Sequence, residues 1–87
     1  MEITKEIKKA IRTIANWESY KGVTIWDYEK AHDFLATKRI YQHFTKFYLM
    51  PENFVWTRGT PKGEVICTFK YEYDLDGFCR KCTPIYS

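Results

Sequence analysis

The chain has 87 residues, with 14 Lys and Arg against 11 Asp and Glu, a formal net charge of +3 and a pI of about 8.8. Hydrophobic residues make up 45% and charged residues 29%, a balance that is typical of a folded domain and excludes a disordered tail. The length allows one modest core and excludes a doubly wound cofactor domain or an α/β barrel, which need far more chain. No apolar run approaches the roughly 18 residues of a membrane span, so we expect no membrane partner.

The first predicted element is an amphipathic helix over about residues 3–20. Gly22 is its expected end, because a left-handed residue just past a helix costs glycine little. Lysines and Arg12 cover the polar side. The apolar stripe recurs at three- and four-residue steps and consists of Ile3, Ile7, Ile11, Ile14 and Trp17.

The second predicted helix begins at Ile25 and ends near residue 36. Thr24 and Asp27 have the spacing of a capping box, in which each side chain satisfies the other residue's backbone N–H. Val23 and Tyr28 are placed to form a hydrophobic staple across this start. These local signals make this helix start the best-defined motif of the chain.

A third helix is predicted over about residues 38–49. The apolar residues of 28–35 and those of 36–48 both recur at helical spacing, but on faces about half a turn apart. One straight helix cannot direct both faces at one core, so we expect a bend near residues 37–39, and Pro51 closes the third helix. Its polar face contains no acid and comprises Lys38, Arg39, Gln42, His43, Thr45 and Lys46.

The remainder of the chain predicts antiparallel strands at about residues 54–58, 64–73 and 78–83, with a turn at 74–77. Alternation is strict in the middle strand except at Ile66, which we expect to point outward. Pro84 is expected to end the last strand and to leave a short tail. The predicted fold is therefore α+β: one domain of three helices followed by a two- or three-stranded antiparallel sheet. Winged-helix domains have the same order of elements, an analogy of architecture.

Few residues offer catalytic or metal-binding chemistry. Cys79 and Cys82 form a C-x-x-C motif, and with Cys67 on the neighbouring strand they give three thiolates, to which His43 or His32 adds a fourth ligand. Structural zinc usually takes four ligands from two such pairs, and the second pair is missing here. The two serines lie at a helix end and at the chain terminus, and no glycine-rich phosphate loop occurs. We therefore expect no enzyme, no cofactor and no metal.

Aromatic residues are the chain's most unusual feature, with six Phe, seven Tyr and three Trp. Either rings fill the core, or some of them face a partner. Trp26 and Phe34 fall outside the apolar stripe of the second helix, so they are candidate anchors unless both faces of that helix are covered. The polar face of the third helix completes this candidate site, where Lys38, Arg39 and Lys46 would steer an acidic target.

The leading hypothesis is a small binding protein that regulates or inhibits a host protein, or a second copy of the chain in a homodimer. Phe, Tyr, Ile and Lys are abundant relative to Gly, Ala, Arg and Pro, which indicates an AT-rich genome such as that of a phage or mobile element. The first nine residues do not resemble a secretory signal, which predicts a cytoplasmic location, or the host cytoplasm, with reduced thiols.

The alternative hypothesis is a winged-helix-like DNA-binding regulator. The basic third helix would enter the major groove, and a hairpin wing with Arg58 and Lys62 would contact the phosphate backbone. Against this hypothesis, the pI lies below the value above 9 that is usual for such domains.

Overall fold

The computed structural model describes residues 2–53, 59 and 61–87. Two helices precede an antiparallel four-stranded sheet whose strands lie in chain order, which makes the domain α+β. Helix α1 packs on α2 and on β4, and α2 packs on β1. No helix of the described residues is long and apolar enough to cross a membrane. The elements are α1 (Lys5–Glu18), α2 (Ile25–Thr37), β1 (Ile40–His43), β2 (Lys46–Leu49), β3 (Glu64–Tyr73) and β4 (Cys79–Tyr86).

Both helices begin at threonine caps. The Thr4 hydroxyl accepts a hydrogen bond from the Ile7 N–H at 3.3 Å. At α2 the capping box is confirmed: the Thr24 hydroxyl accepts from the Asp27 N–H at 3.2 Å, and the Asp27 carboxylate accepts from the Thr24 N–H at 3.4 Å. Ile7, Ile11 and Ile14 of the predicted stripe are buried in the core, whereas Ile3 precedes α1 and, like Trp17, is half-buried.

The core lies between the helices and one face of the sheet. Phe47 and Phe69 meet edge to face at its centre, with ring centroids 4.9 Å apart. The buried cluster also contains Ile7, Ala10, Ile11, Ile14, Ala15, Ala31, Leu35, Ile40, Ile66, Cys67 and Cys82.

The predicted third helix over 38–49 is wrong: the segment forms the β1–β2 hairpin, turning at residues 44–45. The chain does change direction where the bend was predicted, at the end of α2, where Arg39 has φ +59°. The helical spacing of the apolar residues misled the prediction, because aromatic side chains suit the pleated surface of a strand as well as a helix face. Backbone pairing with β3 favours the strand. The pairing of Phe47 with Cys67 fixes the hairpin to β3.

The predicted outward position of Ile66 is also wrong. The register between β2 and β3 passes from Phe47 opposite Cys67 to Tyr48 opposite Val65, which leaves Ile66 with no residue opposite it in β2. This β-bulge lets two successive residues point inward, so both Ile66 and Cys67 are buried.

The last strand is longer than predicted and includes Pro84, which lies buried opposite Phe69. Strand β4 is an edge strand, where a proline can take a position whose missing N–H faces outward. The expected tail is therefore part of the sheet, and Tyr86 lies opposite Cys67. The strand predicted at 54–58 falls outside the described residues, whereas β3 and the turn at 74–77 are confirmed.

Candidate functional site: an aromatic groove

Three segments meet at one end of the sheet and enclose an open groove of about 490 Å³. They are the C-terminal end of α1, the β1–β2 turn, and the end of β3 with the turn that follows it. The Phe69 N–H donates to the Thr45 carbonyl at 2.7 Å and holds the β1–β2 turn against β3. We call this the aromatic groove, and it is lined by Glu18, Tyr20, Phe44, Thr45, Tyr71, Tyr73, Gly77, Phe78 and Cys79.

The rings of the aromatic groove are exposed. Four of them, those of Tyr20, Phe44, Tyr73 and Phe78, have exposed fractions between 62% and 82%. Tyr71 is half-buried and stacks beside Tyr73, with ring centroids 6.1 Å apart and planes 19° apart. Exposed apolar area is unfavourable in water, so large patches of it are more frequent at interaction surfaces than elsewhere on small domains.

Phe44 occupies the first loop position of the β1–β2 hairpin with φ +56°. Glycine, asparagine and aspartate are the residues favoured there, because the left-handed region costs other residues about 1–2 kcal/mol. The Gln42 amide donates to the Phe44 carbonyl at 2.9 Å and fixes this backbone. Since the Phe44 ring is outside the core and contacts the neighbouring His43 ring edge to face at 4.3 Å, the fold gains little from it.

Tyr20 repeats this situation at the end of α1. It follows the cap residue Ser19 and has φ +56°, at a position where helices usually place glycine. Its N–H donates to the Trp17 carbonyl at 3.2 Å. Two bulky left-handed residues thus direct exposed rings into one groove, and local backbone strain of this kind concentrates at functional sites. The third such residue, Arg39, lies in the turn between α2 and β1.

Glu18 is the one charged residue that lines the aromatic groove. It is half-buried, and within 2–53, 59 and 61–87 its carboxylate makes no ion pair or hydrogen bond. Burial, followed by the negative charge of Glu18, raises the pKa of the Tyr71 phenol, which stays neutral at physiological pH. The groove therefore combines neutral rings with one negative charge, although the whole chain is positive.

A second hollow of about 340 Å³ adjoins the aromatic groove and shares Glu18 and Tyr20 with it. Its wall includes Trp17, whose ring packs on Tyr28 at a centroid distance of 5.0 Å. Tyr28 in turn packs on His32 at 4.5 Å. This row of rings packs the C-terminal end of α1 against α2, and Glu18, next to Trp17, lines both hollows.

The predicted anchors Trp26 and Phe34 are not brought together. Trp26 lies in the first turn of α2 and is 70% exposed. Phe34 is half-buried against the core and lines a separate groove between α1 and α2. The Lys38 ammonium lies 5.9 Å from the Phe34 ring centroid, so the lysine side chain partly covers that ring. Neither residue lines the aromatic groove.

The predicted basic face does not exist, because its residues belong to a turn and a hairpin. Lys38 and Arg39 are exposed in the turn after α2. Gln42 lies opposite the buried Phe47, whereas His43 lies opposite Lys46 on the other face of the sheet. No recognition helix is therefore present at 38–49. Of the two predicted wing residues, Lys62 is exposed just before β3, and Arg58 lies outside the described residues.

The three cysteines are free thiols in different environments. Burial raises the pKa of the Cys67 thiol to about 11 and that of the Cys82 thiol to about 12, so both are protonated at neutral pH. Cys79 is half-buried at the groove. Among the residues that the structure describes, no three His, Cys, Asp or Glu side chains lie close enough to hold a metal ion.

The rings of the aromatic groove were not predicted as a site from the sequence. Phe44 was assigned to the inner face of a helix, and Tyr71 and Tyr73 to the buried face of a strand. The excess of rings was the available signal, but it does not say which rings are exposed. Comparisons of the chain with protein family models, with curated proteins and with solved structures found no match.

Proposed function

We propose that this chain is a small non-enzymatic binding protein that regulates or inhibits a protein partner by occupying its surface, with the aromatic groove as the contact. The observation that supports this proposal is the gathering of four exposed rings from three segments of the chain. Two of these rings, those of Tyr20 and Phe44, are presented by strained backbone that the core does not require.

The size of the patch suits a protein interface. Each large aromatic side chain carries roughly 150–250 Å² of surface. Four rings that are about two-thirds exposed therefore supply a large part of the roughly 800 Å² that one partner contributes to a standard interface. Tyr is among the residue types that dominate the binding energy of such contacts, because its ring is large and loses few rotamers.

The chemistry of the groove also favours binding over catalysis. Cys79 is the one thiol among its lining residues, and no histidine lines the groove beside it to act as a base. The remaining polar groups are phenols, one hydroxyl and one carboxylate. These groups suit contact with a partner better than nucleophilic chemistry, which needs a nucleophile within hydrogen-bond reach of a base.

Affinity capture with paired variants tests this proposal. The immobilised chain is exposed to a lysate of its source, or of the source's host, and bound proteins are quantified by mass spectrometry. The double variant Phe44→Ala and Phe78→Ala should lose a stoichiometric protein partner at least tenfold, since each removes a candidate hot spot. Trp26→Ala, which removes an exposed ring elsewhere, is the matched control and should retain the partner.

Two other outcomes would contradict the proposal. Loss of the partner with Trp26→Ala but not with the double variant would place the contact on α2. Capture that disappears after nuclease treatment would identify nucleic acid as the partner and revive the alternative hypothesis, although without its recognition helix.

A further inference from the structure

We infer that the aromatic groove receives a basic side chain of the partner protein, arginine or lysine, with the Glu18 carboxylate as its counter-ion and the surrounding rings as its walls. This inference rests on the proposed function and specifies the chemistry that the partner brings. It reverses the expectation of an acidic target, which depended on a helix that does not form.

The first argument is the unpaired carboxylate. Glu18 is half-buried, lines both hollows and has no cation within 4 Å in the described part of the chain. A partner that covered the groove with apolar groups alone would desolvate this charge without compensation, which is strongly unfavourable. A partner that supplied a cation would form an ion pair at the same point.

The second argument is the arrangement of rings around Glu18. A cation is attracted to an aromatic face when it lies within about 6 Å of the ring centroid. Tyr71 and Tyr73 present nearly parallel rings along one strand, and Tyr20 and Phe44 line the same groove from two other segments. A planar guanidinium can stack on such a face while it pairs with a carboxylate, which favours arginine over lysine.

The third argument is that the chain's own cations occupy other rings. The Lys8 ammonium lies 5.3 Å from the Tyr86 ring centroid, and the Lys38 ammonium lies 5.9 Å from that of Phe34. Arg80 lines a different hollow and pairs with Asp74 at 3.9 Å. Across the described residues, no cation–π contact uses a ring of the aromatic groove. The groove thus keeps its rings and its carboxylate available to a cation from outside.

The same charge argues against a nucleic acid in this groove. Single-stranded nucleic acids stack on exposed rings, but they need cations nearby to neutralise their phosphates. Here the charge among the lining residues is negative, which repels phosphate.

A titration followed by amide NMR tests the inference before the partner is known. The probes are N-acetyl-arginine amide and N-acetyl-citrulline amide, which have nearly the same shape but differ in charge. We expect saturable shifts at Glu18, Tyr20, Tyr71 and Tyr73 with the arginine probe and at least threefold weaker binding of the citrulline probe. Glu18→Gln should weaken arginine binding about threefold to tenfold, whereas Glu29→Gln, which removes an exposed carboxylate on α2, should not change it.

Each contrary result overturns the inference. Equal responses to the two probes, or no response to either at tens of millimolar, would show that the groove does not select a cation. An unchanged affinity of Glu18→Gln for the arginine probe would show that Glu18 is not the counter-ion. Tighter binding of a short oligothymidylate than of either probe would assign the groove to nucleic acid.

The outcomes also separate this inference from the proposed function. If capture of the partner depends on Phe44 and Phe78 but not on Glu18, the aromatic groove is the contact, and the inference that it receives a basic side chain is wrong. If capture depends on neither the rings nor Glu18, both proposals fail. Charge reversal gives a positive check once a partner is identified, because Glu18→Arg should restore binding to a partner whose basic residue is changed to glutamate.

Discussion

Replacement of Phe44 tests whether the hairpin turn is strained to present its ring. Phe44→Gly and Phe44→Ala both remove the ring, and both keep the Phe44 carbonyl that accepts from Gln42. The two variants differ only in the backbone preference at a φ of +56°. Their difference in unfolding free energy therefore reports the left-handed strain less the greater flexibility of glycine in the unfolded chain, free of any contact that the ring makes.

The expected magnitude follows from two opposing terms. The left-handed conformation costs alanine about 1–2 kcal/mol that glycine does not incur. Glycine loses about 0.5–1 kcal/mol relative to alanine, because its unfolded chain is more flexible. From the middle of each range, the glycine variant should thus be more stable by about 0.75 kcal/mol, which corresponds to a melting temperature about 3–6 °C higher for a domain of this size.

The assay is thermal and urea denaturation followed by circular dichroism, with the neighbouring turn residue as control. Thr45 does not have positive φ, so Thr45→Gly should be less stable than Thr45→Ala by about 0.5–1 kcal/mol. The sign of the glycine–alanine difference should therefore reverse between positions 44 and 45. An alanine variant at 44 that is as stable as the glycine variant would refute the claim that this turn is strained.

Two further predictions concern stability. The free energy of unfolding should fall as pH rises from about 9 towards 12. The folded-state pKa values of Cys67 and Cys82 are about 11 and 12, above the ordinary value of 9.0, so in this pH range the thiols ionise first in the unfolded chain and favour it. A fall no smaller in the Cys67→Ala, Cys82→Ala double variant would contradict this prediction. Thr24→Ala should lower the free energy of unfolding by about 1 kcal/mol, because the α2 cap is lost. The control Thr13→Ala, inside α1, should not lower the free energy of unfolding, and thermal denaturation measures both variants.

The sequence predicted those elements whose signals are local. The capping box at Thr24, the centre of the α1 stripe and strand β3 each depend on signals within a few residues, and each was found in the structure, although the alternation of β3 is broken at Ile66. The hairpin at 40–49 was missed because Ile40, Phe44 and Phe47 fit a helical stripe as well as a strand. What decides between the two is the pairing of β2 with β3, a contact between segments about twenty residues apart.

The candidate site was less predictable than the fold, because no two of its segments are adjacent in sequence. Glu18 ends α1 and Tyr20 follows it, Phe44 is at a hairpin turn, and Phe78 follows another turn. Only the order of strands in the sheet brings these turns to the same end. The excess of rings indicated that some lay outside the core, but their positions depended on a topology that spacing does not encode.

The position of the strained residues relative to the charge links stability to function. Tyr20 is two residues from Glu18, so the left-handed turn that exposes its ring also ends α1 where the carboxylate faces the groove. Glycine at position 20 would satisfy the backbone and leave Glu18 without this wall. If the strained backbone is retained because the Tyr20 ring is needed for binding, Tyr20→Gly should both stabilise the fold and weaken binding of the arginine probe. A variant that gains stability and keeps full affinity for the probe would show that the ring at position 20 has no part in binding.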